Sequence, residues 1–374
     1  MRSRALGLVG LVLVACGPFG RGPDSATPRP MGPPRVVLFI GDGAGLAYWS
    51  AARFRDEPLA VEEFRVVGLV DTRSASHKVT DSAAGATVYA TGVRTYNGAI
   101  GVGPDSLPRR TVLELAEMSG LATGLVATSS ITHATPASFT AHVSSRQAEP
   151  EIARQMAGAE IDVLLGGGRG YFDGSLRPDS QDLLTGMRRR YSYVEDAAAL
   201  RTLRADTVRA LLGLFAPRHL PAAAERRPTL AEMTSAALAV LDHDPEGFFL
   251  MVEGSQPDWR GHENNTLESV TAEMLDLDRA VRAALVYREK HPETLIVVVA
   301  DHETGGLALE EDSPGTLRAD YTTEGHTGEM VPLFAIGPGA ERFGGILPNT
   351  RVGELLLEAA RRPGQVAQLT LERQ

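Results

Sequence analysis

The stretch Arg35–Gly45, RVVLFIGDGAG, decides the fold. Val36 to Ile40 are apolar without a polar break, the pattern of a strand buried on both faces. Gly41-Asp42-Gly43 follows as a tight turn. A dinucleotide-binding reading fits poorly, because the spacing is not GxGxxG and a carboxylate in the turn would repel a pyrophosphate. Asp42, at the carboxyl end of a buried strand, is better placed to hold a cation.

The same pattern recurs outward from this stretch. Thr111 and Glu114 form a capping box for a helix that Gly120 stops. Leu125–Thr128 and Asp162–Leu165 read as strands, the second ending in three glycines. Thr229 and Glu232 cap a helix running to about Asp242. Phe248–Val252 is a strand ending at Glu253. Thr266 opens a long helix with Leu267, Val270, Met274, Leu277, Val281 and Leu285 at helical spacing. Leu295–Val299 ends at Asp301-His302, and Leu333–Ile336 ends in Gly-Pro-Gly. Strand and helix alternate, so the expected class is α/β, with a mostly parallel central sheet and helices on both faces. Ser180–Arg227 is Arg- and Ala-rich and reads as a helical insertion or a flexible surface. Asp42, Glu253 and Asp301-His302 all fall at strand ends. In an open α/β sheet those ends share one edge, where ligands bind.

The chain has 374 residues, 43% hydrophobic and 22% charged, as in a packed globule. Its formal net charge of −10 argues against nucleic acid as the main partner, which would need a basic surface. An anionic small substrate is not excluded, because bound metals dominate the local field. Arg2 and Arg4 precede an apolar run, Ala5–Ala15, too short to span a bilayer and fitting a signal-peptide core. Leu13-Val14-Ala15-Cys16 looks like a bacterial lipoprotein cleavage box, and Cys16 is the single cysteine. The expected organisation is a signal peptide over 1–15, a lipid-anchored flexible tether over 16–34, a catalytic domain over 35–364 and a tail over 365–374. The expected location is exported, periplasmic or cell-surface, and anchored to the membrane through Cys16.

Chemistry enters at Val79–Gly92, VTDSAAGATVYATG. A loop turning into a helix would set Ser82 at a helix N-terminus, where N–H groups and the dipole favour an anion. A serine oxygen there can attack phosphorus. Asp81-Ser82 taken alone reads first as a helix cap, because capping is so common. The stretch Glu253–His262 adds Glu253, Asp258 and His262. Asp301-His302 adds a carboxylate and an imidazole, and Gly325-His326-Thr327-Gly328 adds an imidazole on a glycine-flanked loop. His133 and Thr135 precede Arg146. Mixed Asp and His donors suit Zn²⁺, and all-oxygen sets suit Mg²⁺.

On these motifs the chain resembles the alkaline phosphatase family. The likeness runs from about Val36 to Pro338, through IGDGAG, TDSAAGATVYATGVRTYNGAIG, THATPASFTAHVSSR, EGSQPDWRGH, ADHETGG and GHTGE, in the family's order. The resemblance implies that Ser82 becomes phosphorylated. It implies one zinc on Asp258, His262 and His326, and a second zinc on Asp42, Asp301 and His302 beside Ser82. It implies a magnesium on Asp42, Thr135 and Glu253. Arg146, oriented by Asp81, would clamp two phosphate oxygens bidentately, as a Lys could not. Substrates would be phosphate monoesters, hydrolysed between two metals. A related metal-dependent phosphodiesterase or phosphotransferase is the alternative, and a phosphate-binding lipoprotein without turnover a third reading. Well-studied enteric members carry Asp at the place of His133 and Lys at that of Trp259. A histidine there can enter the third metal's shell, which leaves that metal's identity open, and Trp259 reads equally as rim packing. The short gap from His302 to His326 leaves the pocket rim and the contact of a homodimer undefined.

Overall fold

The computed structural model describes residues 32–55 and 58–361. The signal segment, Cys16, the tether up to residue 31 and the 365–374 tail lie outside the described residues.

In chain order the strands are β1 (Arg35–Gly41), β2 (Val66–Asp71), β3 (Ala122–Ser130), β4 (Val163–Gly167), β5 (Ser192–Val194), β6 (Leu211–Leu214), β7 (Phe248–Gly254), β8 (Thr294–Val299), β9 (Glu303–Thr304), β10 (Ala308–Ser313), β11 (Thr316–Asp320), β12 (His326–Thr327), β13 (Val331–Ile336) and β14 (Gly345–Pro348). The helices are α1 (Leu46–Arg53), α2 (Ser82–Thr91), α3 (Val112–Met118), α4 (Ala134–Ala137), α5 (Glu149–Gly158), α6 (Leu183–Met187), α7 (Ala197–Thr202), α8 (Leu230–Leu241), α9 (Gln256–His262), α10 (Leu267–Lys290) and α11 (Asn349–Ala359).

Ten strands make one sheet in the order β14-β2-β13-β8-β1-β7-β3-β4-β6-β5. β1 lies at its centre, parallel to β7 and β8, with Val37 opposite Leu250 and Ile296. Its residues Val37 to Ile40 are fully buried, as an unbroken apolar run requires when helices cover both faces. Of the helices, α10 packs against α1 and α8. Separately, α11 packs against α2. The expected helix starts are present. Thr111 and Thr229 each accept from a backbone N–H three residues on, and Glu114 and Glu232 reach back to close both capping boxes.

Two features differ from the sequence reading. β13 runs antiparallel to β8 and β2, so the last recognised strand does not deliver its carboxyl end to the common edge. The 180–227 stretch is neither a helical insertion nor a loose surface. It contributes α6, β5, α7 and β6, which continue the parallel sheet past β4. These elements have three to six residues each, too few to show a period. The stretch is bolted down at its end by the buried Arg226 guanidinium, 2.5 Å from Asp276 and 2.8 Å from Glu273, both on α10. Breaking such a pair would leave a buried charge unpaired.

Candidate active site and metal centre

The sheet's carboxyl edge gathers the expected residues. Asp42 follows β1, Glu253 is the penultimate residue of β7 opposite Ile40, and Asp301-His302 follow β8. α2 then comes down on this edge. All ten of its residues are buried, and the hydroxyls of Thr87, Tyr89 and Thr91 are each satisfied by a backbone carbonyl, of Ala99, Ala300 and Thr87. Its N-cap is Asp81, whose carboxylate accepts from the Ala84 N–H at 3.0 Å. Ser82 is thus the first helical residue rather than the cap. Its hydroxyl lies 3.4 Å from Asp42 Oδ1 and 3.3 Å from His302 Nε2, at 2% exposure.

Three imidazoles turn Nε2 toward the same space. His326 Nδ1–H donates to the Thr80 carbonyl at 2.8 Å, and His262 Nδ1–H to the Glu324 carbonyl at 2.5 Å. Thr304 donates its one hydroxyl proton to Asp258 Oδ1 at 2.5 Å, so its oxygen accepts from His302 Nδ1–H at 3.2 Å. With Nδ1 carrying the proton in each ring, Nε2 presents a lone pair. The Nε2 atoms of His262 and His326 are only 3.0 Å apart, and Asp258 Oδ1 lies 3.3 and 3.5 Å from them. Lone pairs and a carboxylate this close repel unless a cation sits among them.

Asp42, Asp301 and His302 form a second such group, and Asp42, His133 and Glu253 a third, each with donor atoms within 4.8 Å of one another. His302 also falls within 4.8 Å of Asp258 and His326, so it stands between the first two groups rather than in one alone. Ser129 and Ser255 donate to Glu253 Oε2 at 3.2 and 2.7 Å, which turns Oε1 toward the third group. Four buried oxygens here have no hydrogen-bond partner: Asp42 Oδ2, Asp301 Oδ2, Glu253 Oε1 and Thr135 Oγ1. Orphaned buried acceptors of this kind need an explanation, and divalent cations on a mixed O/N donor set supply one.

Electrostatics point the same way. Burial, with repulsion from Asp301, Asp258 and Glu253, pushes the Asp42 carboxyl well above its ordinary range. Burial raises Asp301 to about 8 and Glu253 to about 7. It also holds His302 and His133 well below the ordinary imidazole range, and His326 below it. Neutral imidazoles beside carboxylates that resist ionising without positive charge are the makings of a metal site.

Arg146 is half-buried beside Asp81 and His133. Its Nη1 donates to Asp81 Oδ2 at 3.2 Å, while Nη2 lies 3.2 Å from His133 Nε2. Trp259, on α9, is half-buried and packs its ring edge-on to His219 at 4.7 Å and His133 at 6.2 Å. His219 is a residue that the sequence reading missed. It accepts from the Ser130 N–H at 3.0 Å and props both Trp259 and His133. It lies in the 180–227 stretch, outside every motif. Thr304, inside ADHETGG, touches candidate donors of two groups, Asp258 and His302, with its one hydroxyl.

A buried serine at a helix N-terminus, next to converging carboxylates and imidazoles on an α/β sheet edge, defines the class of metal-dependent phosphoryl-transfer hydrolases. The comparisons sharpen this. The family model described as alkaline phosphatase matches residues 34–320. Alkaline phosphatase 3 of Bacillus subtilis is 36% identical over 87% of this chain and 88% of its own. Streptomycin-6-phosphate phosphatase of Streptomyces griseus is 36% identical over 93% of this chain and 95% of its own. The solved alkaline phosphatase of the Antarctic bacterium TAB5 superposes with a TM-score of 0.82 at 37% identity, covering 88% of this chain and 98% of that one. The chain belongs to the alkaline phosphatase family, whose members are phosphomonoester hydrolases.

Proposed function

We propose that this protein hydrolyses phosphate monoesters through a phosphoserine on Ser82. The observation that carries the proposal is the placement of the Ser82 hydroxyl at the start of α2, 3.3 Å from His302 Nε2 and 3.4 Å from Asp42 Oδ1. In this reading Asp258, His262 and His326 hold one zinc, Asp42, Asp301 and His302 a second, and Asp42, Thr135 and Glu253 a magnesium, with His133 beside it. When bound, these ions supply Lewis-acid stabilisation of negative charge at the attacking and leaving oxygens.

The chain's own residues do the rest. His302 points Nε2, not an N–H, at Ser82, so no fixed proton from that side quenches a developing alkoxide. Arg146 offers two N–H groups to the non-bridging phosphate oxygens, and Asp81 holds the guanidinium from behind. The α2 dipole favours the anion at its N-terminus. Ser82 Oγ bonds to phosphorus as the ester P–O bond breaks and the alcohol leaves with a proton. Water then bonds to phosphorus, the P–Oγ bond breaks, and inorganic phosphate departs as Ser82 regains its proton.

A metal-dependent phosphodiesterase would share the serine and most of the ligands. The third group and Arg146 favour the more charged terminal phosphate of a monoester. With matched aryl esters, monoester turnover should exceed diester turnover by at least about a hundredfold, because the diester leaves buried polar groups unpaired, a loss that reaches about 10⁴–10⁵ where a site is built around such pairing. Comparable or preferred turnover of the diester would replace this reading with the second one.

Export and lipid anchoring at Cys16 rest on the N-terminal sequence. Among the described residues no helix is long and apolar enough to cross a membrane. Cys16→Ser is expected to move the protein out of the membrane fraction or leave it unprocessed. A processed variant that still sediments with membranes like wild type would refute the anchor.

A further inference from the structure

Arg146 sits on an irregular segment, with Ser144 and Ser145 exposed just before it. No helix or strand holds its backbone, so the place from which its side chain reaches Asp81 and His133 is set by that segment. The segment is laddered to residues 98–101. Ile100 and Val143 exchange two backbone hydrogen bonds of 3.0 Å, and the Arg146 N–H donates to the Gly98 carbonyl at 2.7 Å. The Gly98 N–H donates in turn to Asp81, at 3.1 and 3.0 Å to its two oxygens. Asp81, Gly98 and Arg146 therefore close a ring at one end of the ladder.

The other end is held by His142. Its Nδ1 lies 2.6 Å from the Gly101 carbonyl and its Nε2 2.8 Å from Glu114 Oε1, on α3. Glu114 also accepts from the Thr111 N–H at 2.8 Å, so it is rigidly set by the α3 capping box. The approach is tight. Gly101 has φ of 61°, and a Cβ there would come within 2.0 Å of the Ala141 carbonyl oxygen and 2.9 Å of His142 Nδ1. Both ring nitrogens face acceptors, an arrangement that only the imidazolium satisfies fully. The hydrogen bond to Glu114 accordingly raises the His142 imidazole above its ordinary range, against burial.

We propose that His142 is a positioning residue for the phosphate clamp: its ring bolts the 98–101 segment to α3, and through that segment fixes the guanidinium of Arg146. The proposal rests on Arg146 binding phosphate, as argued above. The hydrogen bonds of His142 go to Gly101, Glu114 and Gln155, none of them a donor of the three metal groups. Its effect reaches the reaction through Arg146 alone, where a misplacement of the order of 1 Å is costly.

The test is a cycle on the metal-replete full-length chain, reading the inhibition constant of inorganic phosphate. His142→Phe keeps the ring's bulk and loses both hydrogen bonds. It should raise the constant about tenfold, the scale of one charge-assisted hydrogen bond. His142→Gln, which retains one donor, should recover part of that loss. In an Arg146→Ala background, His142→Phe should change the constant by less than about twofold, since the group it positions is gone. Equal factors in both backgrounds would overturn the role of His142 while leaving the clamp intact. An unchanged constant in Arg146→Ala alone would overturn the clamp itself, and this proposal with it. If His142→Phe does not fold, Glu114→Gln, which preserves the capping box and weakens the bolt, decides by the same comparison.

Discussion

Ser82→Ala is expected to abolish phosphoenzyme and to cut turnover by about three orders of magnitude or more, equivalent to at least about 4 kcal/mol of barrier. Residual hydrolysis should remain, because Arg146 and the three donor groups would still bind phosphate. Stability should hardly change. The N-cap of α2 is Asp81, which accepts from the Ala84 N–H, so removing the Ser82 hydroxyl deletes no cap. Were Ser82 a mere cap, the loss would instead be about 1 kcal/mol of stability with chemistry intact. Acid quenching of wild type with labelled monoester, followed by peptide mapping, should place the label on the peptide containing Ser82. Label on another peptide, or none at any pH tried, would defeat the phosphoserine proposal. So would a variant of lower melting temperature and undiminished turnover.

Removal of metal should be as severe. A chelator is expected to reduce activity to background, and zinc with magnesium to restore it. The chelated protein should also acquire a pH dependence of stability that the loaded protein lacks. Burial raises Asp301 to about 8 and Glu253 to about 7, and Asp42 well above its usual range, against about 4 for free carboxyls. A raised folded pKa contributes stability that is complete below the unfolded value and is lost as pH climbs through the folded one. The chelated protein should therefore melt progressively lower from about pH 5 to pH 9. The loaded protein should hold its melting temperature, gaining about 4 kcal/mol at a thousandfold excess of ion over its dissociation constant. Retained activity in chelator, or a chelated melting temperature flat across that range, would mean that these carboxylates do not face a cation.

The same residues show how far a linear reading reaches. Local signals were legible: the apolar run Val36–Ile40, the capping boxes at Thr111 and Thr229, and the glycine turn at Asp42. Each arises from hydrogen bonds or side-chain contacts within a few residues, so the chain states them outright. The placing of Asp42, Glu253 and Asp301 on one edge followed from connectivity alone, since strands joined by crossover helices run parallel. The antiparallel course of β13 was hidden, because an apolar run says nothing of direction. The β5 and β6 extension was hidden because its elements are too short to repeat a period visibly.

At the site, residue types pointed to cations and a phosphate, whereas orientation was decided only by the fold. Backbone carbonyls of Thr80 and Glu324, distant in sequence from the rings they orient, turn the Nε2 atoms of His326 and His262 inward. Thr304 links Asp258 to His302, His219 props His133 and Trp259, and His142 ties residues 98–101 to α3. The amino-acid sequence by itself determined which chemical groups reach the sheet edge. Only the tertiary structure decided which way each one faces, because the hydrogen bonds that select a ring's free nitrogen, or hold a guanidinium in place, come from segments that meet only after folding.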